Sequence, residues 1–257
     1  MKLRILYALF AREFHAVRAS RIVWVFAAAC ILFGITAGMG GEEPETAIWL
    51  LLPMTLYMVP LLGLMVGVTA AHGDASEEPL LGARLPGALP RIAVKWLAWT
   101  TPLGLAGLLW ITPAVFRTGE LGLLPALWAY AFGEAFIFVA LGLALGRLLH
   151  DGVTAHTSAL LTGFLLIAGA GILGWLTAQS PYFQERPHLW TLGLMLHPVE
   201  AVRVSLMFSL QNLPFAAGEL PDLAAWWLRH SGAWYAGLVL VWSALALSLA
   251  TLRRPAV

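Results

Sequence analysis

The sequence has one cysteine, two lysines and three aspartates among its 257 residues, and only 11% of its residues are charged. Each shortage excludes a class of function. A single thiol, Cys30, makes no intramolecular disulfide, and a thiolate-type structural zinc site takes several cysteines. The only lysines are Lys2 and Lys95, and Trp96 follows the second. A phosphate loop needs Gly-x-x-x-x-Gly-Lys followed by Ser or Thr, so this chain is no ATPase by itself. Asp74, Asp151 and Asp222 fall one per segment, which leaves no aspartate cluster to hold magnesium and pyrophosphate. His-Glu-x-x-His and Gly-x-Ser are both absent, and His150 and His156 miss the metalloprotease spacing. A soluble domain carries about 25% charged residues. With under half that, and a net charge of +1, the chain is neither a disordered segment, a nucleic-acid binder nor an ordinary cytosolic enzyme. Strand-like alternation is missing as well, which argues against a β-barrel.

What is present is apolar sequence: 60% of residues are hydrophobic and mean hydropathy is +0.81. A membrane-spanning helix needs about 20 mostly apolar residues. Residues 22–39, 48–71, 96–116, 123–147, 156–178 and 233–252 qualify. They predict an all-α, polytopic membrane protein with six transmembrane helices in a single domain over residues 1–257. The basic residues set its orientation. Lys2, Arg4, Arg12, Arg18, Arg21, Arg84, Arg91, Lys95, Arg147, Arg253 and Arg254 fall on one side, and Arg117, Arg186, Arg203 and Arg229 on the other, eleven against four. Both termini are therefore expected in the cytoplasm, with the chain in the inner membrane. The acidic hairpin Glu42, Glu43, Glu45 falls outside.

Residues 1–21 are read as amphipathic. Leu3, Leu6, Phe10, Phe14 and Val17 recur at helical spacing opposite Lys2, Arg12, Glu13 and Arg18. This predicts a helix lying in the membrane interface and leading into an uncleaved first span. Two connections are long. The first, 72–95, is cytoplasmic, opens acidic with Asp74, Glu77 and Glu78, and ends basic with Arg84, Arg91 and Lys95. Pro79, Pro86 and Pro90 leave room for one short helix. The second, 179–232, is external. Pro198 with Glu200, and Pro221 with Asp222, each mark the start of a helix too short to span, read as re-entrant or interfacial. Trp226, Trp227 and Trp234 suit an interface belt.

Candidate functional residues are few. Glu134 sits near the middle of the fourth span, where an ionised group is costly. Two readings stand: a pathway or gating carboxylate, or a protonated acid bonding a neighbouring helix or subunit. Glu200 and Arg203 are three apart and can pair on one helix face. Met54, Met58 and Met65 lie near one face of the second span and, with Cys30, are weak candidates for a monovalent copper path; ordinary packing is the plainer role. Gly133, Gly142, Gly146, Gly163, Gly169, Gly171 and Gly174 allow close helix approach, and Pro53, Pro60, Pro102, Pro113 and Pro125 kink or bound spans.

This layout resembles the membrane subunit of type-2 ABC exporters: a basic N-terminal helix, six spans, a charged loop after the second, and a long external segment with short helices before the last. Within that class it is most similar to the permease of the nitrous-oxide-reductase maturation system. The stretch YMVPLLGLMVGVTAAHGDASEEPLLGARLPGALPR places Pro60, the acids Asp74, Glu77 and Glu78, Leu80–Leu81 and the Pro86 to Arg91 turn where that family has its loop signature. HPVEAVR resembles the family's external Asn-Pro motif, with His197 for Asn. The family's Gly-Thr after the acids is replaced by Glu78–Pro79. The resemblance implies a permease that pairs with a second copy of itself and with a separate cytoplasmic ATPase subunit, which would hold ATP and magnesium; no cofactor is expected in this chain. Residues Asp74, Glu77, Glu78, Arg84 and Arg91 would form the coupling loop. A periplasmic accessory protein and copper or sulfur delivery to a metalloenzyme are the subfamily's version of that function. Outside transport, the alternatives are an intramembrane enzyme or a non-transporting membrane scaffold.

Overall fold

The computed structural model describes residues 2–39, 51–73, 87–119, 121–209 and 222–252. All regular structure among them is helical. Six helices are long and apolar enough to cross a membrane: α2 (Arg21–Met39), α3 (Leu51–His72), α4 (Ala88–Thr118), α5 (Leu121–Leu148), α6 (Gly152–Thr177) and, last in the chain, α11 (Ser231–Thr251). They are compatible with a multi-pass membrane protein. An 18-residue helix, α1 (Lys2–Ala19), precedes them. Between α6 and α11 lie α7 (Pro181–Gln184), α8 (Pro187–Leu196), α9 (Pro198–Ser209) and α10 (Asp222–Arg229).

The centre of the bundle is α5, which packs against α3, α4, α6, α9 and α11. Small residues explain its closest neighbour. Gly63 and Gly67 on α3, and Gly142 and Gly146 on α5, form two Gly-x-x-x-Gly pairs set against each other. A Cβ on Gly67 would lie 2.8 Å from the Cα of Gly142 and clash with the Val139 carbonyl, so only hydrogen fits. Gly133 packs on Tyr235 and Val239 of α11, and Gly163 on Leu61 and Leu64 of α3. Around Gly169 and Gly171 there is nothing within 4 Å, so the close approach expected there is not made.

Prolines shape the helices without ending them. Pro102 and Pro113 lie inside α4. Pro113 has no N–H for the carbonyl of Leu109, and Gly34 of α2 nestles against that carbonyl oxygen. In α3 a π-helical turn at Met54–Met58 comes just before Pro60, as expected where a proline disturbs the i to i−4 ladder. The helix α4 begins at Ala88, well before the expected residue 96, so Arg91 and Lys95 belong to a helix and not to a loop. Pro90 is tolerated there because it falls in the first turn, whose N–H groups have no partner inside the helix. The helix stops at Gly119, whose φ of 75° is the left-handed conformation glycine favours at a helix end. Asp151 opens α6 by accepting from the Thr154 amide at 2.7 Å and hydroxyl at 2.6 Å, and these bonds hold its carboxyl below the usual range.

Basic side chains close three helix ends. Lys95 donates to the Ala70 carbonyl (2.8 Å), Arg147 to that of Ala250 (2.8 Å) and Arg117 to that of Gly38 (2.8 Å). Each places positive charge on C-terminal carbonyls that lack an intrahelical donor.

Candidate functional site

The motif HPVEAVR runs from the end of α8 into α9, a helix that packs against the one carrying Glu134. Helix α9 packs against α5, α11 and the π turn of α3. His197 opens α9 as its N-cap: the Glu200 amide donates to Nδ1 at 3.3 Å. An imidazole fills here the role that Asn, Asp or Ser usually takes. One turn on, Arg203 Nη1 lies 2.8 Å from Glu200 Oε1. The pair is an ion contact rather than an aligned hydrogen bond, since Oε1 makes no hydrogen bond. Arg203 also acts electrostatically on Glu134, which is fully buried in α5. Neither oxygen of Glu134 has a hydrogen-bond partner among the described residues. Behind it, the Tyr235 hydroxyl donates to the Tyr130 carbonyl at 3.0 Å.

The charges follow from this geometry. Burial lowers the His197 pKa to about 4, with Arg203 adding to the effect, so the ring is neutral at pH 7 and its Nδ1 can accept. Burial holds the Glu200 carboxyl above its usual range, and Arg203 pulls it back. Glu200 and Arg203, both singled out in the sequence, thus meet His197 on α9, and Arg203 links them electrostatically to Glu134, the third. Sequence reasoning noted His197 as a substitution for Asn and not as the cap of a helix.

The end of α8 is fixed beside this site. Trp234 Nε1 donates to the Met195 carbonyl (2.8 Å) and Trp242 Nε1 to that of Leu196 (3.1 Å). These are the last two residues of the helix, whose carbonyls have no acceptor role inside it.

At the opposite, basic end, Glu13 of α1 is buried although the amphipathic pattern placed it on the polar face. Its carboxylate accepts from Trp99 Nε1 at 3.2 Å and lies 3.6 Å from Lys95 Nζ and 3.9 Å from Arg12. The face of α1 turned to the bundle is Phe10, Glu13 and Val17, while Tyr7 and Phe14 are exposed. The available signal was a lone acid in a segment otherwise carrying Lys2, Arg4, Arg12, Arg18 and Arg21. Glu13, Arg12, Arg91, Lys95 and Arg147 line a cavity of about 40 Å³, larger than the ~10–15 Å³ one water occupies. Nearby, Thr69 Oγ1 and His156 Nε2 are 3.3 Å apart, and the His72 and His156 rings are 6.4 Å apart.

A lateral groove of about 500 Å³ runs between α4, α5 and α11, walled by Trp96, Trp128, Phe132, Phe136, Tyr235 and Val239. The Trp96 and Trp128 N–H groups turn away to the Phe136 and Gly104 carbonyls, at 2.8 and 2.9 Å. The groove therefore presents mainly ring and hydrocarbon surface.

Of the other candidates, Met54 is buried, Met58 is exposed and Met65 is partly buried. Cys30 is buried in α2. Among the described residues, no three His, Cys, Asp or Glu side chains come together as a metal site. Asp74, Glu77, Glu78 and Arg84 lie outside the described residues.

No protein-family model matches this chain, and no curated protein sequence is significantly similar to it.

Proposed function

We propose that this chain is the permease subunit of a type-2 ABC transporter, working as a homodimer in the inner membrane with both termini cytoplasmic and energised by a separate ATPase subunit. The observation that carries the reading is the clamp between α1 and α4 through Glu13, Lys95 and Trp99. It ties the N-terminal helix to the start of α4, the two elements at the basic end that a motor could push. Lys95 passes the connection on to the end of α3 through the Ala70 carbonyl. The six apolar helices and the missing phosphate loop support the same division of labour between membrane path and motor. On this reading α1 lies in the membrane interface, with Tyr7 and Phe14 turned to lipid. Helices α8 and α9 form a re-entrant pair, because the end of α8 bonds Trp242 near the middle of α11. Coupling through Asp74, Glu77, Glu78, Arg84 and Arg91 remains part of the proposal.

The test is affinity purification of the native protein in mild detergent, with mass spectrometry of every co-purifying chain. A stoichiometric subunit with a phosphate loop is the expected result. Recovery of the chain alone at every detergent strength would overturn the reading and favour a scaffold or an intramembrane enzyme. Charge reversal at Glu77 and Glu78 should then release the ATPase or abolish its stimulation.

A further inference from the structure

The α5–α9 site contains more acid than base. Glu134 is fully buried and its two oxygens have no hydrogen-bond partner among the described residues. Glu200 is buried as well, and faces Arg203 at 2.8 Å. Arg203 of α9 acts electrostatically on Glu134, on Glu200 and on His197, and Tyr235 of α11 interacts with Glu134 and with Tyr130 of α5. His197 uses Nδ1 as an acceptor for the Glu200 amide, so it brings no positive charge. The Tyr235 hydroxyl is committed to the Tyr130 carbonyl, and a phenol adds no cation in any state. Arg203 is thus the one cation among these groups.

Two buried carboxyls within the field of one guanidinium, which is already paired with one of them, cannot both ionise out of water without leaving a charge uncompensated. We propose that this site binds one exchangeable proton, held on Glu134 while Arg203 pairs with Glu200. Release breaks the O–H bond of the Glu134 carboxyl and passes the proton to water, and Arg203 then moves from Glu200 toward the new carboxylate. The Arg203 side chain is 24% exposed, which gives the proton a way to solvent along α9. Because α9 also packs on α11 and the π turn of α3, the proton's presence sets how α9 sits against the bundle. A sodium ion would satisfy the same charge count, and the experiment separates the two. The inference is independent of any motor subunit and stands or falls without one.

Infrared spectroscopy of the purified full chain in lipid nanodiscs, in light and heavy water at neutral pH, reads the protonated carboxyl directly. The wild type should show a protonated-carboxyl band that shifts in heavy water and is lost in Glu134→Gln. Arg203→Gln removes the lone cation, so both acids should hold protons and the band should rise about twofold. Arg203→Lys keeps the charge and should leave the intensity near that of the wild type. Helix content and melting temperature of each variant show that it is folded. Absence of the Glu134 band at neutral pH overturns the inference, as does an unchanged band in folded Arg203→Gln. A band that appears only after sodium is removed also overturns it, in favour of a sodium site.

Discussion

Gly67 and Gly142 meet face to face across the α3–α5 crossing, with the Cα of Gly142 2.8 Å from where a side chain on Gly67 would begin. The two helices at the heart of the bundle are therefore in backbone contact, and the site on α5 hangs from that crossing.

Gly142→Ala should cost about 1–3 kcal/mol, because its methyl group would collide with the Leu64 carbonyl and neither backbone can yield. Gly171→Ala is the control: nothing lies within 4 Å of it, so the better helix former should be neutral or stabilising by up to about 1 kcal/mol. Thermal unfolding in detergent, read by circular dichroism, checks both. Equal effects at the two positions would refute the crossing.

At Glu13, replacement by Ala should free α1 from α4. The Trp99 N–H would lose its acceptor and Lys95 its nearby carboxylate, at a cost of about 1–3 kcal/mol. Glu13→Gln keeps an acceptor for Trp99 and should lose less. Hydrogen exchange should show faster exchange of α1 amides in the Ala variant, with α5 unaffected.

His197 makes stability depend on pH. Its ring is neutral above its ordinary value of 6.5 in both folded and unfolded chains, so the cap is fully present there. Between 6.5 and about 4 the unfolded chain takes up the proton and the folded one does not, so stability falls as pH falls. Glu200, raised in the folded state, acts in the opposite sense and loses its contribution as pH rises. His197→Asn retains a capping acceptor and should flatten the melting profile across the acid window relative to the wild type. His197→Ala should cost about 1 kcal/mol at pH 7.

Trp234 and Trp242 are expected to act together on the end of α8. Either one changed to Phe should cost about 1 kcal/mol. The double variant should cost more than the sum, because both hydrogen bonds hold adjacent carbonyls of one helix end. Unfolding midpoints of the two single variants and the double variant decide it.

The spans were legible because hydropathy over about 20 residues is a strong signal. The apolar runs predicted from 22, 123 and 233 begin within two residues of α2, the α-helical part of α5 at Leu124, and α11. The start of α4 was not legible: Arg91, Lys95 and Pro90 lower the hydropathy of a segment that is helical because Lys95 closes α3 and meets Glu13. The pair Glu200–Arg203 followed from spacing alone. That Arg203 acts on Glu134 did not, since an interaction between residues nearly seventy apart depends on how α9 packs against α5. Glu13 was assigned to the wrong face because periodicity records polarity and not the partner that makes a buried charge tolerable. Gly63 and Gly67 were overlooked, although their Gly-x-x-x-Gly spacing was readable beside that of Gly142 and Gly146.

The basic residues that close helix ends have a consequence for anyone altering the membrane topology. Lys95 and Arg147 contribute to the charge asymmetry used to orient the chain, and each also closes the end of a neighbouring helix. Neutralising them to invert the insertion would loosen α3 and α11 at the same time. A variant that failed to appear in the membrane would then have lost its fold rather than its sense of direction. Orientation is better tested with Arg4 or Arg18, which are exposed on α1 and carry their charge at the surface.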